Sequence, residues 1–424
     1  MIENNSETRH VNYSIVGTLL LVIITNCLYY FKQVGPHVLQ IYMVATLLSA
    51  WFTCGFNVFT QIITGRFLIF SLTLISFFVS SYLSLVVGYG FCLFFFMGFV
   101  LLLSFSQTDT SFPYIPKFFL YASIFFALSV IFSAVNTSTY ISSLSLFFTA
   151  DTVEHAMKLV LSRNYGGYAP LTATAAFFIS VGMGIVFIKL VNSKEKNSNI
   201  MWLSLLILLL ALLLTLRRVG ILCNILAIVA VFVYKREYLF RFLLILTALV
   251  ILYYLLLPYI PQLGQVFQKQ ERLMREGNVL SDRQDLYNYA LQLFKENPYF
   301  GKGPLSYVIL RQQYLGVESS LGVHNVFIQL LAETGIIGTL LFCVCVITLL
   351  YQTIRSLMAI KLRSYQDEEA QSNNENCLLT SLYVQVVFLT FCMSESALSE
   401  YNMFYTYILF SAIPVYYYRE LIIN

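Results

Sequence analysis

The sequence predicts an all-α, polytopic membrane protein of about twelve transmembrane helices, with one long, partly helical periplasmic or extracytoplasmic loop. Three observations predict it. Hydrophobic residues make up 58% of the 424 and charged ones 11%, against roughly 25% charged in an ordinary soluble domain. The mean hydropathy is +0.76, and apolar runs long enough to cross a hydrocarbon core recur along almost the whole chain. One polar stretch, Pro258 to His324, interrupts them and carries a helical pattern of its own.

The apolar runs lie near 12–31, 38–58, 67–85, 89–106, 116–136, 171–191, 200–216, 219–234, 242–257, 326–351, 378–398 and 402–418. The divisions between the third and fourth, and between the seventh and eighth, are the least marked. The first run is full length and follows MIENNSETRH, whose mixed charge is unlike the basic start of a signal peptide, so this helix is expected to be retained. The organisation expected is therefore 1–257 for transmembrane helices 1–9, 258–325 for the extracytoplasmic loop with its amphipathic helix, and 326–424 for helices 10–12. The polar stretch Arg363 to Asn376, RSYQDEEAQSNNEN, reads as a flexible linker.

With the amino terminus cytoplasmic, the inside loops collect Lys117, Lys189, Lys235, Arg355, Lys361 and Arg419 among others, as the positive-inside rule expects. The same threading places outside a short loop near 137–170, the Arg217–Arg218 junction and the long loop. That loop is also basic, but long segments translocate largely regardless of charge. Eight cysteines lie scattered without CxxC spacing and none falls in the long loop, so neither a zinc site nor a disulfide framework is indicated. A net charge of +4 without a basic block argues against a nucleic-acid partner.

In the long loop, SDRQDLYNYALQLFKENPYFGKGP reads as one helix and a turn. Ser281 with Gln284 makes a capping-box pattern, Leu286, Ala290 and Leu293 recur at helical spacing, and Asn297-Pro298 stops the helix. Arg283 then lies in the first turn, where free amides and the helix dipole favour an anion that a guanidinium also grips. Lys302 between Gly301 and Gly303 marks a tight turn and is weak evidence for more. Arg217 and Arg218 sit at the outer surface, as anion ligands or as plain interface anchors. In LGVHNVFIQLLAETGIIG, His324 stands at the lip of an apolar helix, as a functional imidazole or as a helix cap. Below it Asn325, Gln329 and Glu333 form a polar stripe about 12 Å long, at roughly 1.5 Å per residue. Glu333 orients an arginine or, the favoured role, makes an internal polar contact with Gln385 or Glu395. Arg163 and Lys158 in the second outside segment are further candidates for sugar or diphosphate, while Tyr165 and Tyr168 fit interfacial aromatics better than sugar platforms.

Three stretches together, TLRRVGILCNIL at 215–226, RQDLYNYALQLFKENPYFGKGP at 283–304 and HNVFIQLLAETGIIG at 324–338, resemble the O-antigen ligase and O-antigen polymerase superfamily of bacterial glycosyltransferases. The likeness covers roughly 200–345; the amino-terminal half matches in hydropathy alone. Arg218 aligns with the first arginine of the family pattern, although the position before it, commonly serine or threonine, is here Arg217. The resemblance implies metal-independent transfer of an undecaprenyl-diphosphate-linked glycan, without a cofactor, on the periplasmic side of the inner membrane. It implies as partners the lipid-linked oligosaccharide, an acceptor, the bilayer and a chain-length regulator. An imidazole titrating near pH 6.5 can accept the proton of an attacking hydroxyl, which makes His324 the expected general base. The diphosphate leaving group calls for Arg218, Arg283 and Arg217, with Arg163, Asn325 and Glu333 as further substrate contacts. Numbers of family members favour a polymerase, acting on a second lipid-linked repeat, over a ligase, acting on lipid A core. A transporter or flippase is the rival from another class, and its usual midplane charges and related halves are not evident here.

Overall fold

The computed structural model describes residues 13–53, 67–84, 88–169, 171–192, 198–235, 283–315, 322–362 and 368–423. Those residues form helices, mostly α, and turns, with no strand among them. In chain order the helices are α1 (Tyr13–Leu28), α2 (Val38–Thr53), α3 (Leu68–Ser84), α4 (Tyr89–Phe105), α5 (Tyr114–Val135), α6 (Thr137–Phe147), α7 (Ala150–Leu161) and α8 (Thr172–Asn192). There follow α9 (Ser198–Leu214), α10 (Arg218–Tyr234), α11 (Gln284–Glu296), α12 (Ser306–Leu315), α13 (Val326–Leu362), α14 (Glu368–Ser394) and α15 (Tyr401–Tyr418). Eleven of the twelve apolar runs coincide with described helices, and the run at 242–257 lies outside the described residues. Four helices, 114–135, 172–192, 326–362 and 369–394, are long and apolar enough to cross a membrane, and several shorter apolar helices accompany them.

Burial follows composition. α8 and α15 are apolar all round and buried along almost their whole length, which puts them at the centre of the bundle. Small residues bring the neighbours close: a Cβ at Gly184 would stand 2.2 Å from the Tyr383 ring of α14. On α13, Leu340, Val344, Ile347, Tyr351, Ile354 and Met358 stay exposed at helical spacing, the signature of a face turned to lipid.

Two sequence expectations change. The segment 137–170 is not a simple loop, since Asn136 caps α6 by accepting from the Thr139 amide and α7 follows, its Ala156 and Val160 buried against Tyr140 and Leu144. The stretch at 363–376 is not a flexible linker from residue 368 on. There Glu369 to Asn376 form the first turns of α14, whose polar side chains are held by Lys235, Asn192 and Tyr417.

One interlock shapes the functional end. α13 breaks at Gly335, whose φ of 65° and ψ of −170° interrupt its hydrogen-bond ladder. The Asn297–Gly303 turn docks into the break. The amides of Lys302 and Gly303 donate to the carbonyls of Ala332 and Glu333, and those of Ile336 and Ile337 donate to Pro298 and Tyr299. Contact is backbone to backbone, so Gly301 and Gly335, both at positive φ, have no room for a Cβ.

Candidate active site

Four chain segments meet at Glu395, in the turn between α14 and α15. Arg217, the residue before α10, places Nη1 3.0 Å from Glu395 Oε1 and donates from Nε to Thr172 Oγ1 at 2.6 Å. Arg283, at the start of α11, donates from Nη1 to the Ser394 carbonyl at 2.8 Å and holds Nη2 3.9 Å from Glu395 Oε1. His324 Nδ1 lies 3.2 Å from the other carboxylate oxygen, Oε2. The carboxylate is 10% exposed, whereas Arg217, Arg283 and His324 are 33%, 28% and 27% exposed. The three basic side chains thus keep one side toward solvent, while the carboxylate is nearly enclosed.

Local structure explains the convergence. Leu286, Ala290 and Leu293 of α11 are buried as their spacing predicts, and Ala290 and Leu293 share a small core with Tyr307, Val323 and Ala332. That core fixes the start of α11 beside the start of α13, and so Arg283 beside His324. The capping residue Ser281 lies outside the described residues, and Arg283 itself occupies the N-cap position. Asn325 is the true cap of α13: its Oδ1 accepts from the amides of Phe327 and Ile328, and its Nδ2 donates to the Met393 carbonyl at 3.1 Å. His324 has φ 56°, and Leu216, just before Arg217, has φ 50°. Such left-handed residues cost roughly 1–2 kcal/mol each, so both turns are held against a local preference by the surrounding contacts.

The electrostatics follow from this packing. Burial pushes the Glu395 carboxyl up, but the hydrogen bond with His324 and the charges of Arg217 and Arg283 outweigh it and hold the group below the usual carboxylate range. Glu395 is therefore ionised and acceptor-only, so His324 Nδ1 carries the proton of their bond and Nε2 is left as the basic nitrogen. Five residues along, Glu400 goes the other way, raised by burial and by the Glu395 charge although Tyr30 donates to it at 2.8 Å.

The remaining sequence candidates separate. Arg218 is the first residue of α10 and half-buried; it is Arg217 that reaches Glu395. Arg163 is exposed at the end of α7 with φ 60°. Glu333 contacts neither Gln385 nor Glu395, because Gln385 bonds Thr353 and Ser381 instead. Its carboxylate accepts from Gln329 Nε2 at 3.1 Å and from the backbone amides of Leu305 and Tyr307, a structural assignment that ties α12 to α13. Lys302 pairs with Glu296 at 2.8 Å. Tyr168 packs against Phe125 and Phe148 and Tyr165 against the core, away from a sugar-stacking role.

Glu395 and Thr172 are the contacts that sequence reading missed as site residues. In the sequence Glu395 stood out only as an acidic residue near the end of the 378–398 run and as a possible partner of Glu333. Beside it Ser396 Oγ and Gln329 Oε1 are buried without a hydrogen-bond partner among the described residues, and both lie near Gly322, at 2.6 and 3.8 Å from the position its Cβ would take.

Residues 203–343 match the family model for O-antigen ligases. This match bears out the resemblance to the O-antigen ligase and polymerase superfamily. It spans α9 to α13, and so includes Arg217, Arg218, Arg283 and His324 and excludes Glu395. No curated protein matches the chain. The matched segment thus contributes the three basic groups, and the turn after α14, beyond it, contributes the carboxylate that gathers them.

Proposed function

We propose that the chain is a metal-independent polymerase that transfers an undecaprenyl-diphosphate-linked glycan to a hydroxyl of a second lipid-linked repeat unit, on the extracytoplasmic side of the bacterial inner membrane. The observation that carries this reading is the gathering of two guanidinium groups and one imidazole around a single carboxylate. Two guanidinium charges face one carboxylate, and the surplus suits an anion such as a lipid diphosphate. Arg217 and Arg283 retain N–H donors beyond those given to Glu395, Thr172 and Ser394, and these are the proposed diphosphate ligands.

The reaction follows from the same geometry. The acceptor oxygen attacks the anomeric carbon of the donor, and its proton passes to His324 Nε2. A new carbon–oxygen bond forms as the bond from that carbon to the phosphate oxygen breaks, and the departing lipid diphosphate takes the electron pair. Its added charge meets the two arginines. Glu395 acts as a positioning residue, holding the imidazole by Nδ1 and stabilising it once protonated.

Purified protein given a lipid-linked repeat unit tests this directly. Polymer is expected from the wild type, and His324→Ala is expected to lose on the order of 10²- to 10⁴-fold in rate at unchanged protein yield. Normal polymer from that variant refutes the base assignment. Product formed on a lipid A core acceptor, and none on a second repeat unit, replaces polymerase with ligase.

A further inference from the structure

The end of the bundle away from Glu395 holds a polar cavity that the transfer reaction does not use. It encloses about 270 Å³ and opens between the start of α5, the last turn of α8 and the early turns of α14. Lys117, Lys189, Asn373, Asn374, Asn376 and Asp109 supply its polar lining, and Pro116 and Ile185 part of an apolar wall. By the distribution of basic residues this is the cytoplasmic end.

The hydrogen bonds give the cavity a polarity. Asn374 Oδ1 accepts from Tyr417 OH at 2.7 Å, and Asn376 Oδ1 accepts from Asn192 Nδ2 at 2.5 Å. Each oxygen thus already accepts one bond, and each amide has its NH₂ group to offer. Neither Lys117 nor Lys189 has a carboxylate partner among the described residues; Asp109, the one carboxylate of the lining, sets a single negative charge against their two positive ones and has a partner of its own. The lining is therefore rich in donors and in positive charge, which suits an anion with several acceptor oxygens.

A second observation says what carries that anion. Lys117 is exposed and stands at the foot of a stripe on α5, where Tyr121, Phe125 and Leu128 follow on the same face, 59%, 43% and 51% exposed. An anionic group in the cavity with apolar chains along that stripe has the form of a membrane lipid. We propose that this cavity seats the phosphodiester headgroup of an anionic phospholipid, with its acyl chains lying on α5. Basic pockets between membrane helices on the cytoplasmic side are suited to such headgroups. The proposal is independent of the transfer chemistry.

Native mass spectrometry of the full-length protein in detergent tests it, with phosphatidylglycerol, phosphatidylcholine and inorganic phosphate as probes. The wild type is expected to retain phosphatidylglycerol about tenfold better than phosphatidylcholine, and the Lys117→Gln, Lys189→Gln double variant to lose that preference. Inorganic phosphate at millimolar concentration is expected not to displace the lipid. Undiminished preference in the double variant overturns the site; displacement by phosphate overturns the lipid reading in favour of a soluble anion. Arg355→Gln alters an exposed basic residue on α13 outside the cavity and is expected to retain the preference, and an equal loss there shows only diffuse attraction. Should the double variant not accumulate, Asn376→Asp sets a carboxylate in the same lining and is expected to reduce retention of the anionic lipid alone.

Discussion

Two ion-pair sites, one at each end of the bundle, differ in how their charges balance. At one end Lys235 Nζ meets Glu375 Oε2 at 2.8 Å, one cation for one anion, with the side chains 16% and 19% exposed. At the other, Glu395 meets Arg217, Arg283 and His324, and its partners are the more exposed members. A closed pair is electrically finished and contributes to holding α10 against α14. The cluster is unfinished, because its carboxylate fixes the geometry of more positive charge than it neutralises. On the proposed function, charge stoichiometry is what separates the structural pair from the reactive cluster.

The comparison breaks most severely at Glu395. Glu395→Gln retains the shape, removes the charge and leaves the imidazole without an anionic orienter. Transfer is expected to fall by on the order of 10²- to 10³-fold, mainly in kcat, in a protein of near-normal yield. A loss that instead tracks protein yield would falsify the positioning role. The pH dependence gives a second readout. The native carboxyl is held below its ordinary value of about 4.3, so its contribution to stability is fully present above that pH and is lost as the pH falls through the lowered value. The melting-temperature gap between wild type and Glu395→Gln is then expected to close as the pH falls below about 4.3.

The helix break that positions the cluster gives the next largest effect. Gly335 at φ 65° and ψ −170° occupies backbone space that side chains forbid, and a Cβ there would lie 2.3 Å from the Tyr299 carbonyl oxygen. Gly335→Ala is expected to cost about 3 kcal/mol or more, read as a lower melting temperature in detergent. Activity per folded molecule is expected to fall with it, since the displaced turn leads from α11 toward α13 and so bears on both Arg283 and His324. A variant as stable as the wild type would show that the interlock is dispensable.

How far the sequence disclosed all this depends on the range of each interaction. Length and hydropathy suffice for apolar helices, which is why eleven runs reappear as described helices at nearly their expected positions. The α11 pattern was legible for the same reason, its Leu286, Ala290 and Leu293 being one face of a short helix. The polar start of α14 was not, because EEAQSNNEN has no apolar period and becomes helical through partners remote in sequence. The α13 break had a visible trace in Gly335 and Gly338, but its docking turn ends more than thirty residues earlier in the chain. Glu395 was the least legible. It lies 71 residues from His324, and no spacing rule links them. That Arg217 reaches Glu395 likewise turned on backbone geometry, since the left-handed Leu216 sets the direction in which the next residue leaves the turn.

The smallest expected effect tests the closed pair itself. Lys235→Gln removes one charge from a contact that is largely buried at both ends, leaving Glu375 with a neutral partner. A hydrogen bond between charged groups contributes about 1.5–3 kcal/mol, and the residual exposure of this pair favours the lower part of that range. Stability is expected to drop by that amount while the transfer rate per folded molecule changes less than about twofold. The reason is distance in the bundle, since α10 runs from Arg217 at one end to Lys235 at the other, and an adjustment in its last turn need not reach its first. If Lys235→Gln instead depresses kcat as Glu395→Gln does, the two ends are mechanically coupled through α10, and charge stoichiometry no longer separates a structural contact from a reactive one.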